Sequence, residues 1–199
     1  MHRIIPQQQR AQTTIAVTLE AAAQLLELSS DGHLTTNHVA ARAGYSVGTI
    51  YRYFANKDSI FEAMIRAELS RQEAQIADRL ADPDIDTVEG FARIVVRAAL
   101  RPFGGRFKVR RALMLAAVNR RDLATLVEAM LDRLTDLLIE TVARRATDCD
   151  RIPPEAGRHG LLRAVVAATR SAALNKPDLL AEPDFEAELV RSLSRAFRD

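Results

Sequence analysis

Apolar residues recur at the three-and-four spacing of one helix face along nearly the whole chain, and no stretch alternates as a strand does. Ile15, Leu19, Ala22, Ala23 and Leu26 share a face of a first predicted helix from about Arg10 to Leu28. Ser29, Ser30, Asp31 and Gly32 stop it, glycine suiting the left-handed position past a helix end. Thr35 is placed to cap a short second helix through Ala43. Gly44, Tyr45 and Ser46 make a turn, and a third helix runs from about Val47 to Tyr53. A long fourth helix follows from about Lys57 to Leu80, apolar at Ile60, Phe61, Met64, Ile65, Leu69, Ile76 and Leu80.

Asp82, Pro83 and Asp84 break the pattern before a helix from about Thr87 to Leu100 that buries Phe91, Val95 and Ala99. After Pro102, Gly104 and Gly105 come a short helix, about Phe107 to Val118, and a long one, about Asp122 to Ala146. Pro153 and Pro154 start the next, to about Leu174, and the last covers about Asp184 to Phe197. The predicted fold class is all-α with about nine helices.

Composition sharpens this. With 48% hydrophobic residues in 199, the chain can bury a sizeable core. A single cysteine, Cys149, excludes a disulfide framework and a cysteine-based zinc site. No run approaches the roughly 18 apolar residues of a membrane span, and Met1 to Arg10 is too polar for a secretion signal. The expectation is a soluble, cytoplasmic protein that makes no use of a membrane. Lys and Arg total 28 against 26 acidic residues, and a net charge of +2 does not by itself suggest a nucleic-acid binder. Charge is segmental, however. Nine basic residues and no acidic one fall between Gly90 and Arg121, preceded by Asp78, Asp82, Asp84, Asp86 and Glu89.

The informative stretch is Thr35 to Lys57, TTNHVAARAGYSVGTIYRYFANK. Two short helices joined by a three-residue turn containing glycine are the sequence form of a helix-turn-helix. Val39 and Ala40 face inward, Ala40 and Ala43 let the helices approach, and Gly44 takes positive φ without steric cost. Ser46 can cap the second helix, whose exposed amino-terminal amides attract a phosphate. Ile50 and Phe54 anchor that helix, leaving Val47, Gly48, Tyr51 and Arg52 outward, where a major groove can meet them.

These residues, AxRAGYSxGTIYRYFxNKxxxF, resemble the amino-terminal signature of the TetR family of bacterial transcriptional regulators, over about Arg10 to Phe61. The resemblance implies a DNA-binding domain over residues 1–56 and a helical effector-binding and dimerisation domain over 57–199. It further implies a homodimer that represses by occupying palindromic operator DNA and releases it when a small molecule binds. By position, Thr35, Ser46, Tyr53 and Lys57 would touch phosphates, while Gly48, Thr49, Tyr51 and Arg52 would lie in the major groove. Thr36 and Asn37 would add backbone or base contacts. Arg52 is the position for reading sequence, because a guanidinium grips guanine O6 and N7 together. Val47 stands where the family often has a basic residue, and His38 where it often has an acidic one, which removes the partner of a capping box. Residues 1–58 carry five basic and four acidic side chains, a net of +1, so non-specific DNA affinity should be modest.

An effector pocket is expected within the larger domain, with Phe91, Phe103, Met114, Leu131 and Leu134 as candidate lining. With no Trp and few aromatics, small or aliphatic ligands are favoured over large planar ones. In the last two helices Ala164, Ala167, Ala168, Ser171 and Ala172 form a small-residue face, and Phe185, Leu189, Leu193 and Phe197 an apolar stripe. With the resemblance, Ala164, Ala168, Ala172, Phe185, Leu189 and Leu193 become the candidate dimer surface. Arg93, Arg97 and Arg101 recur every four residues, a stripe that either pairs with acids on neighbouring helices or, with Arg106, Lys108, Arg110 and Arg111, attracts an anion. His33 and His38 lack a nearby third ligand, so no metal and no cofactor are expected. No nucleophile triad, phosphate loop or close carboxylate pair argues for an enzyme. The competing readings are an activator, or a helical small-molecule or lipid-binding protein that retains the motif.

Overall fold

The computed structural model describes residues 6–29, 34–117 and 120–198, with nine α-helices and no strand among them. The helices are α1 (Pro6–Leu28), α2 (Thr36–Ala43), α3 (Val47–Tyr51), α4 (Lys57–Leu80), α5 (Val88–Leu100), α6 (Phe107–Ala117), α7 (Arg121–Arg145), α8 (Glu155–Asn175) and α9 (Pro183–Ser194). Short 3-10 turns at Pro102–Gly105, Pro177–Ala181 and Arg195–Phe197 punctuate them. The expected Gly32 stop and His33 lie outside the described residues. The first helix begins at Pro6 rather than near Arg10. Proline with its fixed φ suits a first turn, where its missing N–H costs nothing. The third helix ends at Tyr51, two residues before its expected end.

The chain divides into two compact units, Met1–Ala67 with Lys108–Asn119, and Glu68–Phe107 with Arg120–Asp199. In the first, α1 packs on α2 and α2 on α3. Its core takes Ala22 and Leu26 from α1, Val39 and Ala40 from α2, Ile50 from α3, Ile60 and Met64 from α4, and Val109 and Leu113 from α6. Burying each large aliphatic contributes roughly 1.5–3 kcal/mol, enough to hold helices as short as α2 and α3 that would not form alone.

In the second unit α5 packs on α7, α8 and α9, and α7 and α9 pack on α8. Phe91, Val96, Leu134, Leu138, Leu162, Val190 and Phe197 are fully or almost fully buried. Thr87 caps α5 by accepting from the Gly90 N–H at 3.1 Å. The turn from α4 to α5 is held by Arg145, whose guanidinium donates to the carbonyls of Leu80 at 2.7 Å, Ile85 at 2.9 Å and Asp82. The same guanidinium lies 5.4 Å from the Phe91 ring centroid, so one side chain satisfies carbonyls at the end of α4 and covers an aromatic core residue.

Candidate nucleic-acid interface

The helix-turn-helix is built from caps outward. Thr35 accepts from the His38 N–H at 3.2 Å to start α2. Gly44 ends it at φ 72°, its N–H bonded to the Ala41 carbonyl at 3.3 Å, while the Tyr45 N–H reaches the Ala40 carbonyl at 3.0 Å. Ser46 then caps α3 by accepting from the Thr49 N–H at 3.1 Å. The chain therefore turns sharply between α2 and α3 with the Gly44 and Tyr45 N–H groups satisfied. Arg42 ties α2 to α1 through a 2.8 Å bond to Gln24 Oε1.

Ile50 and Phe54 are buried, which fixes the roll of α3 and sends the rest of it to solvent. Val47, Gly48, Tyr51 and Arg52 are all exposed, Tyr51 at 52%. Asn37 and Ser46 are exposed beside them, and Thr35, Thr36, Thr49 and Tyr53 are half-buried. Capping uses the Thr35 and Ser46 oxygens as acceptors, so a hydroxyl proton remains to donate outward. Ser46 and Thr49 share one such proton, their oxygens 2.8 Å apart. Thr36 Oγ1 and Tyr51 Oη are 3.2 Å apart. The Arg52 guanidinium sits over the Tyr53 ring, 5.8 Å from its centroid, within cation–π reach.

Lys57 is exposed at the first position of α4. Ahead of it stands a cap that sequence reading missed. Asn56 Oδ1 accepts from the Ser59 N–H at 2.9 Å, and Ser59 Oγ accepts from the Asn56 N–H at 3.2 Å. An Asn followed three residues later by Ser was its signal; the usual box has Glu or Gln in the second place. The bond pair pins the start of α4, and with it the backbone that carries Lys57.

The other predicted sites are dispersed. Phe91, Leu131 and Leu134 are buried in the second unit, Met114 is half-buried on α6, and the Phe103 side chain lies outside the described residues. On α8, Ala164 is exposed and Ala168 half-buried, and on α9 Phe185 and Leu189 are half-buried. Ala172 and Leu193 are buried at 5% and 3% within the single chain, so they face its own core. Arg110 is 3% exposed, and burial pushes its guanidinium down to about 10; it cannot draw an anion from solvent as the basic block suggested. Arg93 and Arg97 pair with Glu186 of α9 at 3.5 and 2.8 Å, as a stripe matched by neighbouring acids would. Among the described residues no cluster of three or more His, Cys, Asp or Glu could hold a metal ion. No helix among them is long and apolar enough to cross a membrane.

Residues 19–64 match the family model for bacterial regulatory proteins of the tetR family. No curated protein matches the chain in sequence. Among solved structures, a transcriptional regulator from Rhodococcus sp. Rha1 is 18% identical with a TM-score of 0.69, covering 92% of this chain and 95% of that one. A TetR-family transcriptional regulator from Streptomyces coelicolor is 20% identical with a TM-score of 0.62, covering 92% and 96%. A complex of SmeT with triclosan is 21% identical with a TM-score of 0.57, covering 92% and 90%. The helix-turn-helix segment thus carries the match to bacterial regulatory proteins of the tetR family, and the chain as a whole shares the fold of these solved TetR-family structures.

Proposed function

We propose that the protein is a ligand-responsive repressor that binds palindromic operator DNA as a homodimer in the cytoplasm and has no catalytic activity. One observation carries the reading. Buried Ile50 and Phe54 hold α3 so that Val47, Gly48, Tyr51 and Arg52 all face solvent, where no fold requirement explains a tyrosine and an arginine together. Residues 1–56 would form the reading head and 57–199 the sensor. Thr35, Ser46, Tyr53 and Lys57 are the phosphate contacts in this reading, and Gly48, Thr49, Tyr51 and Arg52 the groove contacts, with Thr36 and Asn37 at their edge. Positioning by phosphates and reading by base edges are separate jobs, and the interface offers side chains suited to each.

Two recognition helices fit successive major grooves only when roughly 34–36 Å apart, so a dimer is required and its spacing is the controlled variable. The small-residue strip of α8, exposed at Ala164, Ala167 and Ser171 and half-buried at Ala168, with half-buried Phe185 and Leu189 of α9, is the surface we assign to the partner subunit. An effector that favours a wrongly spaced dimer weakens DNA binding by the factor by which DNA weakens effector binding. The long α4, which begins beside the reading head, is the natural lever. That SmeT was obtained as a complex with triclosan supports a sensor role for this fold.

A mobility-shift assay on the DNA upstream of its own gene, beside light scattering on the eluting protein, tests the proposal. A shift from a dimeric species is expected, and deletion of the gene should raise expression from that DNA in a reporter. A monomer that leaves the DNA unshifted at low salt would end the proposal.

A further inference from the structure

The outward face of α5 carries chemistry that DNA binding leaves unused. Between it and the carboxyl-terminal half of α4 lies a cleft of about 680 Å³, inside the second unit. That volume is in the range of roughly 300–1,000 Å³ typical of small-molecule sites. Arg79 of α4 and Arg93, Arg97 and Arg101 of α5 line it, against one carboxylate, Asp78. Ile76, Ile85 and Ile94 supply an aliphatic wall.

The four arginines are not equivalent. Glu186 holds Arg93 and Arg97, and Glu89 also takes Arg93, so these two are matched and fixed. Arg79 and Arg101 are exposed, and no ion pair to a described carboxylate engages either. Two uncompensated guanidinium forks beside a wall of isoleucine suit a ligand with an anionic head and an apolar body. A bare inorganic anion would leave the wall wet, and a neutral hydrocarbon would leave both forks unmatched.

We propose that this cleft binds a small organic anion with an aliphatic body, its carboxylate or phosphate gripped by one of the two unmatched guanidinium groups, Arg79 or Arg101, and its chain laid against Ile76, Ile85 and Ile94. As the effector site of a regulator it rests on the function proposed above; as an anion site it does not.

Calorimetry on the full-length protein without DNA separates the two. Octanoate and octyl phosphate should each bind at least tenfold more tightly than 1-octanol and than inorganic phosphate, and the tighter of the two identifies the head group. Arg79→Gln or Arg101→Gln, whichever removes the fork that holds the head group, should weaken binding at least fivefold with unchanged helical circular dichroism. Arg111→Gln, at an exposed cation on α6 that does not line the cleft, should leave it unchanged. Octanol binding as tightly as octanoate, indifference to both arginine substitutions, or no binding of either anion at low millimolar concentration would each overturn the site. Because no DNA is present, that outcome leaves the operator assay standing, and a failed operator assay leaves this one standing.

Discussion

Tyr51 Oη lies 3.2 Å from Thr36 Oγ1, so the last residue of α3 is bonded to the first residue of α2 across the turn. The bond holds the tyrosine ring against the helix pair, which would lower the entropy lost in the proposed groove contact. Tyr51→Ala removes ring and bond together. Operator binding should be abolished in a mobility-shift assay while light scattering still reports the dimer. Tyr51→Phe keeps the ring and should cost about 0.5–1.5 kcal/mol of DNA affinity. Full binding by Tyr51→Ala would remove the residue from the interface.

Arg52 gives a different signature. Its guanidinium is held over the Tyr53 ring, which would limit the freedom it loses in the proposed complex. Arg52→Ala should lose about 1–3 kcal/mol on the best operator and relax preference at one base pair. Arg52→Lys keeps the charge and loses the fork, so it should restore overall affinity more than it restores the preference. Binding measured across single-base operator variants decides this. An equal loss on every sequence would place Arg52 on a phosphate.

Gly44 sits at φ 72°, and an added Cβ there would meet no atom within 4 Å. The penalty for Gly44→Ala is therefore conformational, about 1–2 kcal/mol for a left-handed alanine. Gly44→Asn should cost less, since asparagine tolerates that region. Thermal melting of the two variants should rank them in that order, and equal stability would mean the turn relaxes.

What the sequence made legible follows from the range of each interaction. The caps Thr35 and Ser46, the turn at Gly44 and the anchors Ile50 and Phe54 act over three to five residues, and each was readable from spacing. The bounds of α4 were readable too, because Asp82 and Pro83 break it. Arg145 was not, since its carbonyl partners lie 60 or more residues away in the chain. Nor was Glu186, which reaches the Arg93 and Arg97 stripe only once α9 is packed on α5. The arginine cleft was not legible for the same reason. The cleft is made by the polar face of α5 and the end of α4, while Phe91, Leu131 and Leu134 went into the core.

Arg145 should be among the costliest single side chains to remove from the second unit. Arg145→Ala strips donors from the carbonyls of Leu80, Asp82 and Ile85 and uncovers Phe91. A loss of about 2–4 kcal/mol is expected. Arg145→Lys should recover only part, because an ammonium is a point charge and cannot span the three carbonyls as a planar fork does. Urea denaturation checks both. A loss below about 0.5 kcal/mol for the alanine variant would mean water replaces the guanidinium without penalty.

Asp148 contributes to the acid sensitivity of the same unit. Its carboxylate accepts the Val88 N–H at the start of α5 at 2.7 Å and pairs with Arg198. The Val88 amide first, and Arg198 with it, hold its pKa below the ordinary aspartate value. A carboxyl depressed by folding contributes stability that is complete above the unfolded pKa of about 3.9 and disappears as pH falls through the folded value. Asp148→Asn still offers an oxygen to Val88 but no charge to the helix start or to Arg198. The variant should therefore melt below the parent at pH 7, by roughly 2–4 °C for a loss near 1 kcal/mol in a chain of this size. The gap should hold to about pH 5, shrink below pH 4 and close once Asp148 is protonated in both states. A gap that stays constant down to pH 3 would show that the amide and Arg198 respond to the shape of the side chain rather than to its charge.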